Sequence, residues 1–347
     1  YLDKYNRTLG ISREVNPYPW FYSGEPAIDM VERWQWTFPI LFSPIDPNVL
    51  YTSSNRLWST DDGGNTWKQL SPDLTRADPI TLQPTGGPIT KDMNGPEVYA
   101  TIFSVGPGKV DIDVIWTGSD DGLVHVTQNG GDSWDNVTPE DMPDFGRVSL
   151  IDASAFNAGR AYVAAKRPLL DDRTPYIWRT DDFGQSWTRI TDGIPMGAYV
   201  HAVREDPTRE GLLYAGTQRG VYISYDNGDS WAALNPGLPD VPIVSMIVEE
   251  NELVVASHGR GFWVLDDIAA LRQWEPGVTD EVVKMFDPPA AYRSGPGARM
   301  SFWLGFEPEE ARIEILSMDG EVLRTVEART GGQGGGGGFR RGGLRVE

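Results

Sequence analysis

From Trp34 to Leu265 apolar and polar residues alternate over runs of about five positions, and Gly, Pro, Asn or Asp breaks each run. A period of two marks a half-buried strand, whereas a helical stripe recurs every three or four positions. The runs fall into repeated units. An opening β-rich stretch (WTFPILF, VYATIFSV, VSLIDASAF, YVHAVRE, IVSMIVE) precedes two short strands. Those pairs are VLYTS and RLWST, DVIWTG and LVHVT, RAYVAA and YIWRT, LLYAG and VYIS, then ELVVAS and GFWVL. A last short strand such as TWKQL or SWTRI closes the unit before a Pro/Gly turn like DGIP or NPGLP. Four short strands per unit, five units in succession, predict an all-β chain built as a β-propeller of four-stranded blades. Helical periodicity is confined to residues 266–272, where Asp266 or Asp267 would cap one short helix.

An eight-residue repeat sits between the third and fourth strands of four units: TDDGGNTW (60–67), TQNGGDSW (127–134), TDDFGQSW (180–187) and SYDNGDSW (224–231). Its physics is that of a turn. Asp62, Asp182 and Asp226, and Asn129 in the second copy, carry side chains that accept backbone N–H bonds across the bend. Gly64, Gly131, Gly184 and Gly228 supply a positive φ. Trp67, Trp134, Trp187 and Trp231 start the return strand and fill the gap toward neighbouring structure. These residues read as structural turns rather than as catalytic or Ca²⁺-ligating groups, because a fold's own repeat is not a site. The fifth unit has no such turn.

The ends depart from this pattern. Residues 1–33, rich in Pro, Tyr and Trp, read as a lead-in or part of a preceding blade, with the blades spanning 34–268. Pro276, Pro288, Pro289 and Pro296 punctuate a connector over 269–297. RMSFWLGF, ARIEILSMDG and EVLRTVEA then read as three strands of a partial Ig-like sandwich over 298–330, with Asp319-Gly320 as a hairpin turn. Residues 331–347 contain the run 334–338 and read as a flexible Gly-rich linker. A start at Tyr1 without Met or a signal peptide marks a trimmed piece, and missing segments are expected to complete the ring.

Composition narrows the chemistry. A formal net charge of −20 argues against nucleic acid, which demands a basic stripe. No apolar run is long enough to span a bilayer. The chain has no cysteine, so disulfides and thiolate metal sites are excluded. His125, His201 and His258 are far apart in sequence, and neither a metal nor a cofactor is expected. NRT (6–8) and NVT (136–138) match the glycosylation acceptor pattern, a weak signal.

With these residues in view, the chain resembles the BNR/Asp-box propellers, a group that includes sialidases, xyloglucanases, sortilin-type receptors and a photosystem II assembly factor. WTFPILFSPIDPNVLY, SPDLTRADP, GSDDGLVHVT, REDPTREGLLYAGTQRGVY and SHGRGFWVLDD are similar to strings of the bacterial sortilin-like, glycosyl-hydrolase-like BNR-repeat proteins. The resemblance implies a longer exported protein, secreted or held in the cell envelope. It implies no agreed reaction.

Antiparallel order puts the first-to-second and third-to-fourth turns on one face of the ring. The second-to-third turns and the links between blades lie on the other, where relatives bind ligands. That face carries Ser54-Asn55-Arg56, Asp120-Asp121, the long loop 167–173, Gln218-Arg219 and His258-Gly259-Arg260. A second long loop, 71–96, joins the first two blades, and long loops in compact domains are frequently functional. Arg56, Arg173, Arg219, His258 and Arg260, with His201 and Arg204 from an innermost strand, are the candidate binding residues. The bland alternative for each is a solvated rim charge. His125 reads as structural, and Trp34 and Trp36 as packing at the start of an inner strand rather than a sugar platform.

Two main functions compete. One is a non-catalytic scaffold for a peptide or glycan. The other is a glycoside hydrolase using two carboxylates, for which Asp120 or Asp121 with Asp171 or Asp172 are the candidates. A sialidase version would need an arginine triad and a Tyr nucleophile, and no matching string surrounds the available arginines. A purely structural module of a larger surface protein is the third reading.

Overall fold

The alternating runs form strands because each presents one apolar edge to a neighbouring blade while its backbone is paired within its own sheet. The computed structural model describes residues 2–20, 22–90, 92–234, 237–289, 300–306, 312–329 and 345–346. A hairpin of β1 (Asp3–Asn6) and β2 (Ile11–Glu14) comes first. The first blade is β3 (Ile40–Phe42), β4 (Leu50–Ser53), β5 (Leu57–Thr60) and β6 (Lys68–Gln69). The second is β7 (Ile102–Pro107), β8 (Ile115–Ser119), β9 (Val124–Thr127) and β10 (Asp135–Asn136). The third is β11 (Arg147–Ala153), β12 (Ala161–Arg167), β13 (Asp172–Thr180) and β14 (Thr188–Arg189). The fourth is β15 (Val200–Glu205), β16 (Leu213–Thr217), β17 (Gly220–Ser224) and β18 (Ala232–Leu234). A fifth, of three strands, is β19 (Ile243–Glu249), β20 (Glu252–Ser257) and β21 (Gly261–Leu265). All pairs are antiparallel, so the protein is a nearly all-β five-bladed propeller.

The core lies between blades rather than within them. Tyr51, Leu57 and Ile115 pack between the first two blades, and Trp116, Val148 and Trp178 between the second and third. Tyr162, Leu213, Val221 and Ile243 belong to a third cluster that runs on into the fifth blade. Large-to-small changes at such positions cost about 2–5 kcal/mol.

The repeat turns join one blade to the next. In the first copy Asp62 Oδ1 accepts the N–H groups of Asn65 (2.8 Å) and Thr66 (3.0 Å), and Oδ2 accepts the Thr66 hydroxyl (2.8 Å). Asp182 and Asp226 do the same with Ser186 and Ser230. Asn129 replaces Asp without loss because Ser133 reverses its role: the Asn129 amide donates to the Ser133 oxygen at 2.9 Å. The indole then reaches across. Trp134, Trp187 and Trp231 donate Nε1–H to the carbonyls of Leu70 (3.0 Å), Val137 (2.7 Å) and Ile190 (3.0 Å), each just past the outer strand of the preceding blade.

Trp67 makes the same bond to Val15, at 2.8 Å. The β1–β2 hairpin therefore stands where the outer strands of a preceding blade would stand, and Val15 takes the part that Leu70 plays one blade later. The arc ends with uncovered apolar side chains on both sides. Ile40 and Phe42 are exposed on β3, and Phe262, 80% exposed, and Val264 on β21.

Beyond the blades α2 (Ala269–Gln273) follows Asp267, whose Oδ1 accepts the Ala269 N–H, and α1 (Gly87–Thr90) is a single turn in the long loop. The three strands expected after the connector divide between two sheets. Phe302–Leu304 pairs with Val283–Met285, while Arg312–Leu316 pairs with Val322–Arg329, which in turn pairs with Arg345–Val346. The glycine run 334–338 lies outside the described residues.

Gly131 has φ +100°, and a Cβ there would stand 2.7 Å from the Leu70 carbonyl oxygen, a backbone atom that cannot swing aside. Gly131→Ala is expected to lower unfolding stability by about 2–3 kcal/mol, read from urea midpoints. An unchanged midpoint would show that the joint tolerates separation.

Candidate functional site

The face opposite the repeat turns holds two cavities. The first, about 380 Å³, opens between the second and third blades and is lined by Tyr99, Asp120, Phe145, Arg147, Lys166 and the 167–170 stretch, with Thr81 from the long loop. The lining comes from links between blades, from second-to-third turns and from the adjoining ends of β11 and β12. Leu169 and Leu170 form its lip on a short 3₁₀ turn, and Leu169 is 88% exposed.

Asp120 lies at the base, 1% exposed. Its Oδ1 accepts the Thr101 N–H at 2.8 Å and its Oδ2 the Thr101 hydroxyl at 2.9 Å. Burial, with Asp121 beside it, pushes the Asp120 carboxyl up to about 6 against those hydrogen bonds. Asp121 faces away into the long loop. It accepts the N–H groups of Arg76 (2.9 Å) and Ala77 (3.3 Å) and the Ser119 hydroxyl (2.6 Å), and so anchors that loop to the blade. Arg147 is held over the Phe103 ring at 4.8 Å. Arg167 donates to the Asp144 carbonyl at 2.9 Å and pairs with Asp172 at 3.2 Å.

Only one of the four candidate carboxylates lines the cavity. Asp172 is occupied by Arg167, by the Thr174 N–H (3.0 Å) and by the Tyr176 hydroxyl (2.8 Å). Asp171 ends the 3₁₀ turn in a left-handed conformation, φ 59°, on the exposed rim. Asp121 is committed to holding a loop.

The binding candidates also divide. Arg173 and Arg219 line a second cavity of about 440 Å³ with Met196, Gln218 and Asp240, where Arg219 pairs with Asp240 at 3.1 Å. His201 sits between the two, its Nδ1 2.7 Å from the Lys166 nitrogen and its Nε2 3.3 Å from Gln218. His258 anchors the last turn through its N–H to the Pro242 carbonyl, and Arg260 is exposed beside it. Arg56 instead neutralises Glu32, a buried acid from the lead-in, which makes it a structural cation.

Arg204 is a correction. It stands at the far end of β15, where its Nη1 meets Asp152 at 2.8 Å and Lys109 meets the same carboxylate at 3.0 Å. An inner strand starts on the ligand face and ends on the other, so three positions along it carry Arg204 away from His201. Burial pushes His125 down to about 4, as suits a neutral structural ring. Trp34 packs edge-on against Phe38 at 5.4 Å, whereas Trp36 is exposed and does not pack as expected.

Sequence reasoning missed Arg147, Lys166, Tyr99 and Phe145. The available signal was AAKRP, where an apolar strand run turns basic just before the long loop. Among the described residues no group of three or more His, Asp or Glu could hold a metal ion, and no helix is long and apolar enough to cross a membrane.

No protein-family model matches the chain. A xyloglucanase of Paenibacillus sp. is 29% identical over 203 residues, a match covering 48% of this chain and only 19% of the xyloglucanase. Among solved structures, an ancestral GH74 enzyme aligns with TM-score 0.48 at 14% identity, over 90% of this chain and 40% of that one. YCF48 bound to D1 peptide aligns with TM-score 0.42 at 18% identity, over 80% and 82% of the two chains.

The raised Asp120 carboxyl has a signed consequence. Its folded value, about 6, exceeds the ordinary 3.8, so the fold holds its proton longer than the unfolded chain. Wild type should therefore lose stability relative to Asp120→Asn between about pH 4 and pH 6, by on the order of 3 kcal/mol. Urea unfolding of both proteins across that range checks it, and parallel curves would contradict it.

Proposed function

We propose that the protein is a binding propeller that takes a peptide on the face opposite its repeat turns, in the cavity between the second and third blades. One observation carries the reading. In a chain of net charge −20, this cavity is lined by Arg147, Lys166 and Arg167 and by one carboxylate, Asp120, while Asp172 pairs with Arg167 from outside the lining. Such a local inversion of sign attracts an acidic ligand that the rest of this acidic surface repels. The lip favours peptide over glycan, because Leu169 and Leu170 are aliphatic and exposed. Sugar sites are better served by flat aromatic platforms; Tyr99 and Phe145 line the cavity, but its exposed lip is aliphatic.

The same reading makes the chain an Asp-box, sortilin-like protein, supported by its four repeat turns and the family strings in its sequence. It also makes it part of a longer exported protein whose further blades cover Ile40, Phe42, Phe262 and Val264.

A second reading, glycoside hydrolysis, is favoured by the likeness to a xyloglucanase and by Asp120, a carboxyl poised near 6 as a general acid would be. Among the described residues lining the cavity Asp120 has no partner carboxylate of the kind hydrolysis requires, since Asp171 and Asp172 do not line it.

Peptide and glycan arrays probed with the whole chain separate the two. The expected outcome is salt-sensitive binding to peptides bearing acidic and aliphatic residues, weakened about tenfold or more by Arg147→Glu, which is about 1.4 kcal/mol or more. Turnover of xyloglucan that disappears in Asp120→Asn would replace this reading with the enzyme.

A further inference from the structure

Lys166 closes the inner half of the third blade at the end of β12 and projects into the first cavity. It has no carboxylate partner among its hydrogen bonds. Instead its nitrogen lies 2.7 Å from Nδ1 of His201. The other ring nitrogen faces Oε1 of Gln218, at 3.3 Å. An amide oxygen only accepts, so Gln218 assigns the imidazole proton to Nε2 and leaves Nδ1 as an acceptor aimed at Lys166.

The surroundings of this pair are arranged against positive charge. Arg147 is the cross-strand partner of Lys166 in the sheet, and Arg167 follows it. Asp120 and Tyr99 also line the cavity, and His258 acts on the pair through His201. Burial and Arg147 push Lys166 down to about 8, while burial and Lys166 push His201 down to about 4. An amine without a carboxylate, beside a neutral base, in a cavity with apolar walls, is the usual setting of an activated lysine.

We propose that Lys166 is a nucleophilic amine that captures a small anionic aldehyde in this cavity as an imine. The unprotonated nitrogen attacks the aldehyde carbon, and the carbonyl π pair moves onto oxygen. His201 Nδ1 takes the proton from nitrogen and returns it to that oxygen. The nitrogen lone pair then forms the C=N bond as the hydroxyl, with one more proton from nitrogen, leaves as water. Amine and aldehyde give imine and water, with no change of oxidation state. Arg147 and Arg167 supply the attraction for the anion. This activity goes beyond ligand binding and is read without any peptide, so its outcome is independent of the array result.

The experiment treats the whole chain with glyoxylate and cyanoborohydride, which traps the imine as carboxymethyl-lysine, and maps the six lysines (4, 68, 91, 109, 166 and 284) by mass spectrometry. Lys166 is expected to react about tenfold faster than the exposed Lys68 at pH 7, from a pKa lowered by more than two units. The rate should climb to a midpoint near 8, and His201→Phe should slow Lys166 while leaving Lys68 unchanged. A Lys166 rate no greater than that of Lys68 overturns the proposal. An equal preference for Lys166 with acetaldehyde in place of glyoxylate overturns its anionic substrate.

Discussion

One recurring hydrogen bond joins the first four blades to what precedes them: the indole N–H of each repeat turn, donated to a backbone carbonyl of the blade before it or, for Trp67, of the lead-in hairpin. A propeller blade has only two to nine residues per strand here and little core of its own, so stability comes from stacking blade on blade. The turn makes that stacking specific. Its Asp or Asn ties the bend, its glycine lets the neighbouring chain approach to contact distance, and its Trp closes the gap with a directional bond. Such a bond contributes about 1 kcal/mol net, and it would cost more to leave the buried carbonyl unmet.

This arrangement has a functional consequence. Because the aspartates spend both oxygens on their own turn, the repeat motif itself leaves no carboxylate oxygen free for a ligand. Asp62 shows it most plainly: hydrogen bonds from Thr66 hold its carboxyl down at about 2. The opposite face is free of that duty. Its links and turns vary in length from blade to blade, and in the first cavity they gather three cations in a chain of net charge −20. Arg147, Lys166 and Arg167 meet there because the first two strands of the third blade pair side by side, with Arg147 opposite Lys166. Asp120 keeps a raised pKa in the same place because it is buried with few compensating charges.

The fold was legible because its signals are local. Period-two alternation and four copies of an eight-residue turn identify blades, their register and their two faces without any long-range information. The lead-in was partly legible: Val15 carries no motif, yet the structure gives it the role of Leu70. The site was harder. Asp120 could be placed on the correct face, but whether its carboxylate or that of Asp121 turns inward depends on the distant Arg76. Asp172 has the right residue type and loop, yet Tyr176 and Arg167 claim it. Arg204 failed for a simpler reason, since its strand is legible but three further positions along it move the side chain to the opposite face.

The central claim is a division of labour between the two faces, and hydrogen exchange across the whole chain tests it most directly. Exchange would be compared with and without a peptide selected from the array. The account predicts slowed exchange at 143–147 and 166–173, with the amides of Gly64, Gly131, Gly184 and Gly228 unchanged. Protection concentrated at those four glycines, with none around Lys166, would contradict it.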